Sequence, residues 1–390
     1  MPMIRNFKLA LGGLLIAGLA ACGGGGGGGS ASGGNGTLRM ALTDAPTCGF
    51  DAVNVTVQKI RVHQSSSANE ADSGWSEIVL SPAKRINLLT LTNGVLDELG
   101  QTPLPVGKYT QLRLVLADNS GAQPLANSVL PTGGIEVALT TPSGQQSGVK
   151  TNINIDIAAN QMADFVLDFD ACKSVVVAGN SGQYLLKPVV TVIPRYISGV
   201  VGFVDVSLGI GSTSVSVQQG GLVVKATVPD SAGRFMLQPV APGNYTLVLT
   251  ATGRTTVVVT NVLVAADTVT SVNATGTRFN PPVSTSATLN GTAPVDTLVR
   301  VLQPLTAGPT IEVAGRFVDA ITRNYNFSVV VAATLVAPYV ALPGVLVFTA
   351  DTAAAGRYTL KASLSGFLDK SLVLATVVAG TTITTPINFP

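Results

Sequence analysis

Thr151-Asn-Ile-Asn-Ile-Asp-Ile157 alternates without a fault: Ile153, Ile155 and Ile157 fall on one side, Asn152, Asn154 and Asp156 on the other. In an extended chain successive side chains point to opposite faces, so this heptapeptide predicts a strand with one face buried and one wet. The same period of two runs outward from it in both directions. Val53, Val55 and Val57 share a phase that slips to Ile60 and Val62, which predicts a β-bulge near Gln58-Lys59. Leu112, Leu114 and Leu116 make a third inward row. Further strands are expected at 37–43, 75–80, 134–139, 163–170 and 184–193, with a short helical turn within 86–99 before Asn93-Gly94. No long stretch of period 3.6 competes, so the chain from Thr37 onward reads as all-β, a set of tandem antiparallel β-sandwiches.

Composition agrees and excludes some functions. Charged residues are 11% of the chain, under half the usual share of about 25%, so Thr, Ser, Asn and Gln carry much of the solvation. Val and Thr suit a pleated, half-buried surface because branching at Cβ restricts them to extended conformations. Removing Arg5 and Lys8 with the leader described next leaves 21 of 23 bases against 21 acids, a net charge of zero. That balance lacks the basic footprint of a nucleic-acid binder, and no nucleic-acid partner is expected.

Residues 1–21 read as an export leader: Arg5 and Lys8 start it, and the apolar run Leu9 to Ala21 follows. Thirteen residues are too few to span a bilayer core, which needs about 20, but match a signal-peptide core. The run closes on Leu19-Ala20-Ala21-Cys22, which resembles the lipobox of bacterial lipoproteins. That resemblance implies acylation of Cys22 and a membrane contact through the lipid. Gly23 stands where an aspartate resembles an inner-membrane retention signal, so sorting to the outer membrane is expected, with the protein facing the periplasm or the cell exterior. Residues 22–36 then form a tether, since Gly23–Gly29 and Ser30–Gly36 are all Gly, Ser, Ala or Asn. Such a segment buries no apolar surface, and fourteen residues of it span about 20 Å. With Cys22 acylated, Cys48 and Cys172 remain. In an oxidising compartment they are expected to pair, the alternative being two buried free thiols.

Three folded stretches follow, at 37–195, 197–275 and 285–390. In the second, Asp230-Ser-Ala-Gly233-Arg-Phe235 precedes Pro242-Gly243-Asn244-Tyr245-Thr246-Leu247, and Gly253 comes eight residues after the tyrosine. The glycine of this motif is expected at positive φ with the tyrosine ring packed over the turn. The motif recurs as Ala355-Gly356-Arg357-Tyr358-Thr359-Leu360, with Gly366 at the same spacing, and earlier as Val106-Gly107-Lys108-Tyr109. The order Gly-Arg-Phe, Pro-Gly-Asn-Tyr-Thr-Leu, Gly resembles the carboxypeptidase regulatory-like (transthyretin-like) β-sandwich, which implies a non-catalytic accessory module at 197–275. Residues 285–390 look like a diverged copy: Arg323-Asn-Tyr-Asn-Phe327 replaces the Gly-Arg-Phe turn and Ala354 replaces Pro242. In 37–195, the run Gly36-Thr-Leu-Arg-Met-Ala-Leu-Thr-Asp-Ala-Pro46, then Trp75, Asn87-Leu-Leu89, Asn93-Gly94, Leu104-Pro-Val-Gly-Lys-Tyr109 and Tyr184-Leu-Leu-Lys-Pro188 together resemble domain of unknown function 4382. That family implies an extracytoplasmic lipoprotein and brings no catalytic residues.

Chemistry is sparse. His63 is the only histidine, near a predicted strand end, too little for a Ser-His-Asp arrangement or a zinc site. Asp164, Asp168 and Asp170 are even-numbered on one predicted strand, with Asp156 on a strand that could neighbour it. They form a candidate calcium face, since crowded carboxylates repel unless a cation lies between them; a solvated strand face is the plainer reading. A glycosidase pair would need two acids across a cleft. Trp75, the single tryptophan, is expected as a core anchor rather than a sugar platform, and the Asn-x-Thr triplets at Asn54, Asn244 and Asn290 read as chance. The expected role is a lipid-anchored, non-enzymatic envelope protein that binds, adheres or scaffolds, needs no cofactor, and meets an envelope protein or a glycan. Carbohydrate binding by one sandwich is the alternative, a hydrolase the remoter one.

Overall fold

The computed structural model describes residues 34–44, 49–141 and 148–390. Strand takes 54% of the chain and helix 3%, so the all-β class read from the alternation holds. The first sandwich contains β1 (Asn35–Asp44), β2 (Phe50–His63), β3 (Ser76–Asn87), β4 (Asp97–Pro105), β5 (Gly107–Leu116), β6 (Ser128–Pro131), β7 (Val137–Thr140), β8 (Val149–Ile157) and β9 (Met162–Phe169). A single helical turn, α1 (Ala171–Ser174), then leads to β10 (Val175–Val177), β11 (Tyr184–Leu186) and β12 (Val190–Pro194). One sheet runs β12-β9-β1-β4. The other runs β10-β11-β7-β6-β2-β5-β8, with β3 also on β2.

The core of this sandwich is the set of rows expected from the alternation. Leu38, Met40 and Leu42 from one sheet meet Val53, Val55, Val57, Leu112, Leu114 and Leu116 from the other, all buried. The phase slip in β2 is a bulge: register with both β3 and β5 shifts between Val57 and Lys59, and Gln58 is left outside. One extra residue returns Ile60 and Val62 to the core. Asn93 and Gly94 both take positive φ, at 58° and 78°, as a tight turn with these residues requires. The helical turn expected in 86–99 is a 3-10 turn at Leu88–Thr90, capped by the Asn87 side chain.

The second sandwich holds β13 (Gly199–Phe203), β14 (Thr213–Gln219), β15 (Leu222–Thr227), β16 (Arg234–Leu237), β17 (Gly243–Ala251), β18 (Val257–Val264) and β19 (Val269–Ser271). The third holds β20 (Ser286–Thr292), β21 (Leu298–Pro304), β22 (Thr310–Phe317), β23 (Asn324–Val330), β26 (Thr359–Ser363), β27 (Lys370–Val373) and β28 (Thr382–Thr384), after β24 (Thr334–Pro338) and β25 (Thr349–Asp351) are set aside. Their topologies are the same. Sheets β16-β13-β19 and β15-β14-β17-β18 correspond strand for strand to β23-β20-β28 and β22-β21-β26-β27. The diverged motif therefore keeps its strand order. Arg323 takes φ 61° where Gly233 takes φ 75°, and the preceding aspartates, Asp319 and Asp230, both accept backbone N–H groups across the turn.

Two details differ from the sequence reading. Gly243 does not take positive φ, although Gly107 and Gly356 do. A Cβ on Gly243 would lie 3.2 Å from the Tyr245 ring, so this glycine is there to let the ring cover the turn. The pairing is also not purely antiparallel: β1–β9, β13–β19 and β20–β28 are parallel.

Residues 334–351 leave the sheets of the third sandwich altogether. β24 lies parallel on β18, from Val257↔Leu335 to Thr260↔Pro338, and β25 pairs with β24. An open edge strand exposes a row of unpaired N–H and C=O groups; here β24 covers it, and β24 ends on Pro338, which has no N–H to offer. Val248 and Val258 on the outer face of that sheet pack with Leu305, Ile311 and Ala354 of the third sandwich. Residues 34–390 consequently cluster as one unit, with sandwiches that share strands and a common apolar seam.

Candidate functional site

A buried set of ionisable groups lies where the three sandwiches meet. Lys225 on β15 extends from the second sandwich into the first, and its Nζ donates to Asp168 Oδ1 on β9 at 2.5 Å. Lys225 is 2% exposed and Asp168 9%, so this is a nearly dry ion pair. The Lys225 ammonium also approaches the Asp44 carbonyl at 3.5 Å. At the end of β1, Asp44 accepts the Ala171 N–H on Oδ1 at 3.0 Å, while its Oδ2 is buried without a hydrogen-bond partner. Asp170 caps α1 by accepting from Lys173 N. Lys173 in turn bridges Asp170 and, at 3.2 Å, Glu312 on β22 of the third sandwich. Gln218 on β14 and Glu312 exchange two hydrogen bonds, 2.7 and 2.8 Å, side-chain amide to main chain. Each sandwich is thus tied to the other two by buried polar bonds. A bond of this kind is worth little net, but removing one partner leaves the other charged and dry.

The candidate calcium face is dispersed into these pairs. Asp164 is taken by Arg39, with Arg195 at 3.8 Å. Asp168 is taken by Lys225, and Asp170 lies beyond the end of the strand as a helix cap. Asp156 sits on β8 in the opposite sheet, paired through β5, and does not join them. Among the described residues no group of three or more His, Cys, Asp or Glu is placed to hold a metal ion. The cation in this site is a lysine.

His63 ends β2 as expected and is held by a surface loop: its Nε2 lies 3.0 Å from the Ser73 carbonyl, and its Nδ1 accepts from Ser65 N at 2.8 Å. Trp75 corrects the expectation of a core anchor. It lies half-buried on the outer side of β2 and β5, with Arg61 and Arg113 guanidinium groups 4.6 and 5.0 Å from its ring and the His63 ring tilted against it at 5.0 Å. The ring's negative face pays for its position by attracting two cations. Cys22 and Cys48 lie outside the described residues. Cys172 follows Ala171 on α1.

Residues 35–188 match the family described as "Domain of unknown function (DUF4382)". The match opens on the first residue of β1 and closes just before β12, so it covers the first sandwich but for one edge strand. No curated protein matches the chain. Among solved structures, the chain is similar to the major pilin subunit of Bacillus cereus, at 11% identity over 91% of this chain and 99% of that one, with a TM-score of 0.14. It is also similar to a calcium-stabilised adhesin with which an Antarctic bacterium reaches out and binds ice, at 10% identity over 89% and 74%, TM-score 0.12. A third is the pilus adhesin of Lactobacillus rhamnosus GG, at 9% identity over 92% and 43%, TM-score 0.14. Scores this low carry no argument about fold or function.

Within the matched region, burial pushes the Asp44 carboxyl well above the usual carboxylate range, against the pull of the Ala171 N–H. A carboxyl whose pKa is higher folded than unfolded binds its proton more tightly in the native state, so stability falls as pH rises from the unfolded pKa towards the folded one. Asp44→Asn keeps the acceptor for Ala171 and removes the titration. Urea unfolding from pH 4 to 8 is expected to show a shallower loss of stability with rising pH in the variant, and a more stable variant at pH 8. Equal slopes would show that Asp44 does not titrate across this interval.

Lys225, Glu312 and Gln218 were not singled out by sequence. Lys225 did leave a trace, as a lone lysine in Leu222-Val-Val-Lys-Ala-Thr-Val228. A charge inside so apolar a strand implies a buried partner, though not which one.

Proposed function

We propose that this chain is a lipid-anchored cell-envelope protein acting as a non-catalytic binding, adhesion or scaffolding module. One observation carries the reading: Asp168, from the candidate metal-binding face, is paired with Lys225, and Glu312 with Lys173, so that these acids join one sandwich to the next. Such joints make a stiff presenter of loops and sheet edges, the places where small polar contacts and main-chain hydrogen bonds recruit partners. The lipobox ending at Cys22 and the glycine tether support attachment to the outer membrane. A Cys48–Cys172 disulfide belongs to the same proposal. What supports it is that Asp44, four residues before Cys48 in sequence, accepts the N–H of Ala171, the neighbour of Cys172, at 3.0 Å.

Labelling cells with a radioactive fatty acid is expected to mark the wild-type protein in the membrane fraction, and Cys22→Ala is expected to abolish the label and leave an uncleaved leader. Wild-type protein that is unlabelled and soluble in the cytoplasm would overturn the anchoring.

A further inference from the structure

The second and third sandwiches agree strand for strand, yet the same sheet edge is covered in one and bare in the other. In the second, β18 carries β24 in parallel: the Leu335 N–H donates to the Thr256 carbonyl at 2.9 Å and the Tyr339 N–H to the Thr260 carbonyl at 2.8 Å. In the third, β27 takes the place of β18, pairs with β26 and ends its sheet. The glycines eight residues after the motif tyrosines, Gly253 and Gly366, set the correspondence. Thr255, Val258, Val259 and Thr260 then match Leu368, Ser371, Leu372 and Val373. The registers agree, Leu247↔Val259 against Leu360↔Leu372.

Successive residues of a strand turn their N–H and C=O groups to alternate neighbours. The Leu374 N–H goes to the Tyr358 carbonyl, on the β26 side. Ser371 and Val373 therefore present theirs to the open side, as Val258 and Thr260 present theirs to β24. The side chains differ as well. Thr255 is 2% exposed and Val258 and Val259 are fully buried, whereas Leu372 is only partly buried at the bare edge. Leu368 and Val373, at 92% and 85%, are the most exposed large apolar side chains among the described residues. Lysine on an edge strand is one way folds discourage pairing, but the Lys370 ammonium is drawn to the Asn388 carbonyl at 2.7 Å.

We infer that β27 takes up, in parallel, an uncharged extended strand donated by a separate polypeptide. β24 shows what fits such an edge. Leu335 packs against the core of the sandwich and Val336 into the seam on the opposite face, so the donor carries apolar side chains on both faces. A second copy of the chain has no such strand to give, because its own Thr334 and Ala337 are wholly buried against β18. Main-chain hydrogen bonds would supply the affinity and the flanking apolar side chains the selectivity. Strand uptake deepens the binding and scaffolding role proposed above and rests on that reading.

The test uses the detergent-solubilised full chain and a fluorescently labelled peptide of residues 332–341, followed by polarisation. Saturable binding is expected. Ser371→Pro removes an N–H from the open side, where an edge strand tolerates proline. It is expected to keep the thermal midpoint and weaken binding about tenfold or more, since the donor's carbonyl loses its partner. Val373→Lys, at an exposed position, is expected to weaken binding severalfold. A photo-crosslinker on the peptide's N-terminus is expected to mark the Leu368 end of β27; marking of the Leu374 end would overturn the parallel pairing. Absence of saturable binding, or equal binding by wild type and both variants, would overturn the inference. A peptide-free dimer in the ultracentrifuge that Ser371→Pro dissolves would overturn the separate donor and give the edge to a second copy. A lipidated chain that does not take the peptide defeats only this inference, and a chain that takes it but carries no lipid defeats only the anchoring.

Discussion

Lys225→Met is expected to lower the unfolding free energy by about 3–5 kcal/mol, the usual consequence of stripping one partner from a buried ion pair. The ammonium and Asp168 are both nearly dry, and burial already pushes the Asp168 carboxyl above its ordinary range while Lys225 pulls it back. Without Lys225, Asp168 must either stay charged with no counter-ion or take up a proton at neutral pH. The double variant Lys225→Met/Asp168→Leu is expected to recover most of the loss, because a well-packed apolar pair of similar volume has no charge to desolvate. Urea denaturation of the single and double variants at pH 7 checks this. A single variant within 1 kcal/mol of wild type (roughly a fivefold change in the folded ratio) would show that the second sandwich is not locked to the first through this pair.

Tyr358→Ala is expected to cost about 3–5 kcal/mol, the range for emptying an aromatic site in a core. The ring is 2% exposed and opens the strand that completes the third sandwich. Its hydroxyl donates to the Val330 carbonyl at 2.6 Å, and burial pushes the phenol well above its usual pKa. Tyr358→Phe keeps the ring and leaves that carbonyl short of a donor, so about 1–2 kcal/mol is expected. Thermal denaturation should rank wild type above Phe above Ala; equal melting of Phe and Ala would show that the hydroxyl, not the packing, holds the site. The equivalent tyrosines bond locally instead: Tyr245 donates to the Ala241 carbonyl at 2.9 Å and Tyr109 to the Pro105 carbonyl at 3.2 Å, both four residues upstream. In the third sandwich the upstream chain is the insertion, so the hydroxyl finds β23 instead.

What could be read in advance was local. Ile155 and Ile157 are buried and Asn152, Asn154 and Asp156 exposed because alternation is a property of the strand itself. The bulge at Gln58 announces itself as a phase slip, and Asn93-Gly94 announces a turn because those residues tolerate positive φ. Arg323 was not legible as a positive-φ residue, since an arginine takes that conformation only when the surrounding turn, here pinned by Asp319, imposes it. Trp75 departs from the core position its size argues for because its environment of Arg61 and Arg113 comes from two strands that only folding brings together.

By itself, then, the amino-acid order determined which segments are strands, which side of each faces inward, and that one fold is used twice after residue 197. Tertiary structure alone decided that Asp168 meets Lys225 and that Thr334–Pro338 closes a neighbour's sheet. The reason is range: side-chain alternation and turn conformation act over a few bonds, whereas Coulomb attraction and edge pairing act through space between residues whose separation along the chain carries no information about their distance.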